Sequence, residues 1–336
     1  MNSHHTSATR RVFNTRLAAL YGVAALTGLA AGRANAQAWP ARAITMIAPY
    51  PAGGGVDTVA RLIADLLGPK LGQSITVDNK PGAGATIGAT ALVRSAPDGY
   101  TLMMGSIVDY AIAPHVIAGL PFEMKRDMIA VAEIGLGTVA LIVNADLPVK
   151  NLKELVALAK SKPGDLSFAS SGVGGLQHLN AEMFKQMAGV NIVHVPYKGT
   201  AQFMPDLLAG RIPMSIDSIP AHLANIKAGK TRALAVASAS RSAALPDVPT
   251  MAEAGLPGYE SATNYTVFVP AKTPPEIVQR LNLEINAVMK NEAVVAKLLS
   301  LGIVAKSGSV ENAQARITSE NERWAGVIKA GNLNLK

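Results

Sequence analysis

The chain has 336 residues, a formal net charge of +8, 49% hydrophobic residues, 16% charged residues and no cysteine. This composition excludes a disordered protein and a small fold held together by disulfides. The length favours two lobes of roughly 100–150 residues each, with a cleft between them.

The first 36 residues have the pattern of an export signal. A basic region ending at Arg16 precedes an apolar stretch over residues 17–31, and Ala34-Asn35-Ala36 then matches an A-x-A cleavage site. The apolar stretch is shorter than the roughly 20 residues that span a bilayer. We therefore predict cleavage after Ala36 and a mature protein in the bacterial periplasm. The segment Thr9-Arg10-Arg11-Val12-Phe13 also resembles a twin-arginine signal, so both the general and the twin-arginine export routes stay open.

The positive charge does not indicate a nucleic-acid partner. The signal holds four arginines and no acidic residue, so its removal leaves 27 basic and 23 acidic residues. The remaining lysines and arginines are scattered singly and are not interleaved with aromatic residues. The basic stripe and the stacking platform of a nucleic-acid binder are both missing from this pattern.

Short β-branched runs alternate with amphipathic helical patterns along the mature chain. This alternation is typical of an α/β protein with mostly parallel sheets. The predicted strands are residues 43–48, 74–78, 100–104 and 191–193, and the predicted helices cover 57–67, 151–160 and a segment that begins at 273–276.

Two further β-branched segments, residues 138–144 and 263–269, are predicted to cross between the lobes. The second lobe is then an insertion in the first. This assigns residues 37–140 and 262–336 to lobe 1 and residues 141–261 to lobe 2.

Two glycine-rich loops are candidate binding sites, because open α/β sheets bind ligands at the carboxyl ends of their strands. The first loop covers residues 49–57, and the second covers residues 168–178 and adds two serine hydroxyls. Glycines let the backbone approach a ligand, and amides at a helix N-terminus favour anions. Two facing amide nests would suit a ligand with a carboxylate at each end. A tight turn with Asp57 as the helix N-cap is the structural alternative for the first loop.

One further segment and one further residue supply polar side chains that could contact a ligand. The segment 194–200 supplies Tyr197, Lys198 and Thr200, and a solvated surface charge is the alternative for Lys198. Asp217 ends an apolar strand, where it is either an unremarkable exposed acid or an acceptor facing the cleft, for a ligand ammonium or a bridging water.

Enzyme motifs match poorly. The glycines of residues 82–88 are spaced one residue too far apart for a dinucleotide fingerprint, and a phosphate-binding G-x-x-x-x-G-K-[ST] motif is missing. Ala169 stands where a G-x-S-x-G elbow around Ser171 needs glycine, although His178 could still act as a base. Four histidines after the signal, without cysteine or close acidic spacing, predict neither a metal site nor a cofactor.

Seven ordered segments resemble the extracytoplasmic solute receptors of the tripartite tricarboxylate transporter system, the Bug receptor family. They cover nearly all of the mature chain: YPAGGGVD (50–57), NKPGAG (79–84), APDGYTL (96–102), SSG (170–172), HVPYKG (194–199), AGKTRALAV (228–236) and LPDVPT (245–250).

The resemblance implies a two-lobed periplasmic binding protein of the type II-like clam-shell kind. Each lobe is then a mostly parallel sheet flanked by helices, with two crossing strands as a hinge. Similar receptors are not enzymes; they bind di- or tricarboxylates, amino acids or aromatic acids and deliver them to an inner-membrane permease. We expect a monomer. A receptor that signals through a membrane partner and an exported serine hydrolase that uses Ser171 and His178 stay open as alternatives.

The resemblance also implies which residues meet the ligand. Both glycine-rich loops hold carboxylates through backbone amides and ordered waters in similar receptors. The predicted ligand-binding residues are Tyr50, Ala52, Gly53, Gly54, Asp57, Ser106, Ser170, Ser171, Gly172, Gly174, Gly175, His178, Tyr197, Lys198, Gly199, Thr200, Asp217 and Asn264. In one departure, Asn264 and Thr266 stand where many relatives carry tryptophan and glycine, so the ligand of a tryptophan-bearing relative does not transfer to this chain.

Overall fold

A computed structural model describes residues 39–330. The predicted signal and its cleavage site after Ala36 lie outside the described residues. The strands are β1 (Ile44–Ala48), β2 (Ile75–Asn79), β3 (Thr101–Ser106), β4 (Met128–Asn144), β5 (Ser167–Ser170), β6 (Val193–Pro196), β7 (Met214–Ser218), β8 (Thr231–Val236), β9 (Ala262–Pro270) and β10 (Ile303–Ala305).

Helices connect most of these strands. They are α1 (Gly55–Leu71), α2 (Thr86–Val93), α3 (Ile107–Val116), α4 (Met124–Asp127), α5 (Leu152–Ser161), α6 (Leu176–Ala188), α7 (Thr200–Leu208), α8 (Leu223–Lys227), α9 (Pro275–Met289), α10 (Glu292–Ser300) and α11 (Val310–Ala330). None of the helices between residues 39 and 330 has the length and apolar character needed to cross a membrane.

The strands form a mixed sheet whose two halves share β4. In the first half, β1 lies parallel to β2 and β3, while β9 runs antiparallel to both β3 and β4. In the second half, β5 lies parallel to β6 and β7, while β4 runs antiparallel to β7 and β8. The short strand β10 also pairs with β4. The predicted α/β class is confirmed, with parallel pairing in the outer strands and antiparallel pairing where the halves join.

The strand β4 carries the chain from one half to the other. Its residues 128–138 pair with β9, and its residues 139–144 pair with β7 and β8. Nearly every residue of β4 is buried, as expected for a strand covered on both faces. Strand β9 begins opposite Thr138, so the return connection lies beside the outgoing one.

Predicted and observed elements differ mainly at their ends. The predicted strand 191–193 is wrong by two residues, since β6 begins at Val193, where pairing with β5 begins. The predicted start of α5 is confirmed because the Asn151 Oδ1 accepts the Glu154 N–H at 2.9 Å. Helix α1 begins two residues before the predicted start, at Gly55.

Three of the hydrophobic cores in the described part of the chain lie against the two half-sheets. The first fills the first half-sheet around Tyr110, Phe268 and Trp324, and the other two cover the two faces of the second half-sheet. Leu176 and Leu179 belong to α6, which follows β5 of the second half, yet they pack into the first core. Helix α6 therefore joins the two halves.

Candidate functional site

A cavity lies between the two halves, at the N-terminal ends of α1 and α6. Five predicted site residues line it, and they come from loops of both halves: Tyr50, Gly54, Ser171, Thr200 and Asp217. The wall also contains four residues of the two predicted loops that were not named individually, Gly55, Val56, Leu176 and Gln177. Five further wall residues lie outside those loops: Asp109, Val139, Asn180, Ser218 and Thr263.

The N-terminal turns of two helices, one from each half, contribute to the cavity wall. Gly54 is the N-cap of α1 and Gly175 is the N-cap of α6, and neither glycine has a side chain that can bond to its helix, although the first amide of α6, that of Leu176, donates to Asp109. The first amides of a helix lack carbonyl partners within it, and they lie at the positive end of its dipole. Both helix ends can therefore donate hydrogen bonds to an anion, which is the chemistry predicted for the two glycine-rich loops.

A buried carboxylate fixes the first loop. Asp57 accepts hydrogen bonds from the Gly53 amide at 2.8 Å, from the Arg61 Nε at 3.0 Å and from the Asn79 Nδ2 at 2.9 Å. Burial alone would raise the pKa of Asp57, but these donors and the charge of Arg61 outweigh burial and lower it. The expectation that Asp57 caps α1 is wrong, because Gly54 occupies the cap and Asp57 holds the loop from the first turn.

A second buried acid, Asp109, connects the two halves. It is 4% exposed, and it accepts the Tyr50 hydroxyl at 2.7 Å and the Leu176 amide at 3.1 Å. Burial raises the pKa of Asp109 to about 6, against the lowering effect of both hydrogen bonds. The sequence does contain a pattern that could have indicated Asp109, since it is the one acidic residue in an otherwise apolar stretch over residues 107–113.

Asp217 is also buried, and a histidine partners it. The Thr200 hydroxyl donates to its carboxylate at 2.6 Å, the His222 Nε2 at 2.9 Å and the Ser218 amide at 2.6 Å. Burial would raise the pKa of Asp217, but His222 first and then the other donors lower it. Of the two alternatives for Asp217, an exposed acid is therefore wrong. His222 is wholly buried.

Two stacked histidines lie behind the second loop. The rings of His178 and His194 are 3.9 Å apart, and the His194 Nε2 is 2.6 Å from the Ser170 Oγ. The His178 Nδ1 accepts the Gly174 amide at 3.2 Å. Burial lowers the pKa of each histidine to about 4, with mutual repulsion adding to the effect at His194. Both rings are therefore neutral near pH 7, and they support the loop from outside the cavity wall.

The remaining predicted residues lie outside the wall of the cavity. Lys198 is exposed, as in the solvated-charge alternative, and the Tyr197 hydroxyl donates to Asp206 at 2.7 Å. Asn264 lies on the face of β9 opposite to Thr263, since successive side chains of a strand alternate. The others outside the wall are Ala52, Gly53, Asp57, Ser106, Ser170, Gly172, Gly174, Gly175, His178 and Gly199. Contact of these residues with a ligand stays a prediction.

Two unpredicted residues of α6 bring amide side chains to the wall. Asn180 is 0% exposed, and neither its Oδ1 nor its Nδ2 has a hydrogen-bond partner in the described part of the chain. The Gln177 Nε2 donates to the Thr200 hydroxyl at 3.1 Å, while its Oε1 is buried without a partner among residues 39–330. Gln177 and Asn180 are three residues apart, so they share one helix face, a spacing that could have marked them in the sequence.

Two α/β halves joined by adjacent strands, with a cavity between them, define the class of two-lobed periplasmic solute-binding proteins. The family model described as "Tripartite tricarboxylate transporter family receptor" matches residues 59–333. The chain belongs to this family, as its sequence segments predicted.

Individual relatives match over almost the whole length. Protein BugT of Bordetella pertussis is 36% identical over 323 residues, which cover 96% of this chain and 99% of BugT. The structure of Rpa4515 of R. palustris with adipate is 37% identical, with a TM-score of 0.85 over 88% of this chain and 98% of that one. MatC of Rhodopseudomonas palustris with bound malate is 30% identical, with a TM-score of 0.82 over 86% of this chain and 100% of that one.

Proposed function

We propose that the mature chain captures a small organic carboxylate between its two lobes in the periplasm and delivers it to a permease of the tripartite tricarboxylate transporter type. The observation that carries this proposal is the cavity wall, to which the N-terminal turns of α1 and α6 contribute from different halves of the sheet. Two similar structures contain the dicarboxylates adipate and malate, which supports the same ligand chemistry here.

The proposal includes the predicted lobes, with residues 37–140 and 262–336 in lobe 1 and residues 141–261 in lobe 2. The change of pairing partner along β4, from β9 to β7 and β8, supports this division. We propose a monomer whose signal is removed after Ala36. Receptors of this family are periplasmic, which is consistent with export.

Binding is coupled to closure because each carboxylate contacts amides of a different lobe. A ligand shifts the lobes toward the closed state only by as much as it prefers that state. Charge-assisted hydrogen bonds contribute roughly 1.5–3 kcal/mol each. Five or six of them, less ordering costs, can supply the about −8 kcal/mol of a micromolar site.

The geometry does not favour a serine hydrolase. The Nδ1 of His178 accepts the Gly174 amide, and the serine beside a histidine is Ser170 instead of Ser171. Ser170 is 0% exposed and also bonds to Gly172, so a substrate could not reach its hydroxyl. A signalling receptor would use the same capture step, and a pull-down from membranes would show which partner the loaded protein binds.

A thermal-shift screen of residues 37–336 against aliphatic, amino-acid and aromatic carboxylates tests the proposal. A ligand at a hundred times its Kd stabilises the native state by about 2.7 kcal/mol, which raises the Tm by a few degrees. We expect a concentration-dependent shift with at least one acid, recovered chemically unchanged. Conversion of that acid, or no shift with any acid, would contradict the proposal.

A further inference from the structure

We propose that Asp109, Gln177 and Asn180 form an acceptor subsite in the cavity that binds the ammonium group of the ligand, so that the ligand is an amino carboxylate. This inference rests on the proposed function and names the ligand class of the same cavity. It depends on side chains that are not among the predicted ligand-binding residues, although Gln177 lies within the second glycine-rich loop.

The first observation is a pair of buried amides without partners. Both side-chain atoms of Asn180 and the Oε1 of Gln177 are buried in the cavity wall without a hydrogen bond to any described residue. Leaving such groups unpaired destabilises a folded protein, and water or a ligand normally satisfies them. These atoms are therefore available to a ligand in the cavity.

The second observation fixes the orientation of Gln177. The Thr200 hydroxyl donates its proton to Asp217, so it can only accept a hydrogen bond from Gln177. The Gln177 Nε2 must then face Thr200, which leaves the Oε1 as the unpaired atom. Gln177 thus presents an acceptor, and the Oδ1 of Asn180 supplies a second one.

The third observation is a negative charge without a cation. The described wall residues include Asp109 and Asp217 but no lysine or arginine. His222 contacts Asp217, whereas the hydrogen bonds of Asp109 come from a hydroxyl and a backbone amide. Each oxygen of Asp109 accepts one bond there and retains a further lone pair. A ligand ammonium would donate hydrogen bonds to these free lone pairs and would compensate the buried negative charge of Asp109.

The acceptor subsite complements the helix N-termini. The amides of α1 and α6 donate to carboxylates, whereas the acceptor subsite accepts from a cation, so the cavity matches a zwitterion. A dicarboxylate without an amino group would leave the acceptors unpaired and would add negative charge beside Asp109. We therefore expect selection between ligands that differ only in an amino group.

Calorimetric titration of residues 37–336 with three matched pairs tests the inference. The pairs are adipate and 2-aminoadipate, glutarate and glutamate, and succinate and aspartate. We expect the amino member of at least one pair to bind about tenfold or more tightly than its partner, the range for one charge-assisted hydrogen bond. In Asp109→Asn, that preference should disappear, while the dicarboxylate binds as well as before or better.

A second variant separates a binding role from a structural one. Asn180→Leu removes unpaired buried polar atoms at similar volume, so its Tm should be unchanged or higher. Its affinity for the amino ligand should nevertheless fall several-fold. The exposed Asp165 provides the charge control, and Asp165→Asn should leave every affinity unchanged.

The outcomes are distinguishable. Equal or tighter binding of the dicarboxylates by the wild-type chain would overturn the acceptor subsite and leave the proposed function standing. An amino preference that survives in both Asp109→Asn and Asn180→Leu would overturn the assigned residues. If none of the six compounds binds, the proposed function fails for these carboxylates, and the inference that rests on it fails too.

Discussion

Asp217 and His222 form a buried ionisable pair at the cavity, with side-chain exposures of 4% and 0%. Removing one partner of such a pair leaves the other without compensation, which typically costs about 3 kcal/mol or more. We expect His222→Leu to lower the free energy of unfolding by about that amount in urea titrations. The double variant with Asp217→Asn should lose less than the sum of the two single losses. Additive losses would show that the pair is not coupled.

The stacked histidines make stability depend on pH. Their pKa values are lowered from 6.5 to about 4, so the unfolded chain takes up protons first as the pH falls. The contribution of the two histidines to the free energy of unfolding is complete above about pH 6.5 and is lost as the pH falls toward 4. Asp109 affects stability in the opposite direction, because burial raises its pKa in the folded protein from 3.8 to about 6. Its contribution to the free energy of unfolding is complete below about pH 3.8 and is lost as the pH rises through 6.

Urea midpoints near pH 7 and pH 4.5 separate these contributions. His194→Phe keeps an aromatic ring in the stack and removes one titrating group, so it should lose less stability on acidification than the wild type. Asp109→Asn should lose more, because the wild type gains stability when this buried acid is protonated. If the wild type and the two variants showed the same pH dependence, His194 and Asp109 would not be the groups that make stability depend on pH.

The sequence predicted the loop residues of the cavity better than the helix residues. Tyr50, Gly54 and Ser171 were found because glycine-rich loops after strands carry a local pattern. Asp109 and Asn180 were missed because their position in the wall depends on how α3 and α6 pack against each other, which requires long-range contacts. Periodicity assigns a residue to a helix face but does not show which other element that face meets.

At the scale of single elements, the start of α1 packs closely against β7 and β9 beside the cavity. A Cβ added at Gly55 would lie 2.7 Å from the Ser218 Oγ and 3.0 Å from the Tyr265 hydroxyl. A Cβ added at Gly54 would meet only the Pro51 carbonyl oxygen, at 3.4 Å. Neither glycine has a positive φ, so alanine fits the backbone at both positions.

Gly55→Ala therefore tests whether this helix end forms the site. We expect the variant to fold, because alanine favours a helix. Its affinity for the carboxylate found in the thermal-shift screen should fall about tenfold or more, since one charge-assisted hydrogen bond accounts for that much. Gly326→Ala in α11 is the control, because an added Cβ meets nothing within 4 Å there and the residue does not line the cavity, so this variant should bind as tightly as the wild type. Equal affinities in calorimetric titrations of the two variants would place the ligand elsewhere.

Helices and strands were predicted well where their sequence pattern is local. The predictions were less accurate at strand ends, because those ends depend on pairing with distant strands. The cap at Asn151 could be predicted because it involves residues three apart. The long strand β4 was predicted only over residues 138–144, because in its first part three β-branched residues are interrupted by alanines, a glutamate and two glycines. Its extension back to Met128 depends on pairing with β9, which is distant in sequence.

Across the whole molecule, α6 couples the two halves. Leu176 and Leu179 pack into the first core, and the Leu176 amide donates to Asp109 of α3. Separation of the halves would expose this apolar surface and break a hydrogen bond to a buried acid. Ligand binding at the N-terminus of α6 should therefore favour the closed arrangement.

The chain has no cysteine, so closure can be followed with two engineered labels. Asp65 on α1 and Lys160 on α5 are exposed and lie in different halves. Energy transfer between dyes on Asp65→Cys and Lys160→Cys should increase when the carboxylate is added. A pair of labels within the first half, on Asp65→Cys and Lys290→Cys, should show no change. Equal responses from the two pairs would contradict coupling of binding to closure.

A crystal structure of residues 37–336, grown with the acid that gives the largest thermal shift, would show directly whether two helix N-termini hold the ligand. We expect that acid in the cavity, with carboxylate oxygens within hydrogen-bond distance of first-turn amides of α1 and α6. Its amino group, if present, should contact Asp109 and Asn180. An acid bound outside this cavity, or inside it without contact to either helix N-terminus, would contradict the proposed site.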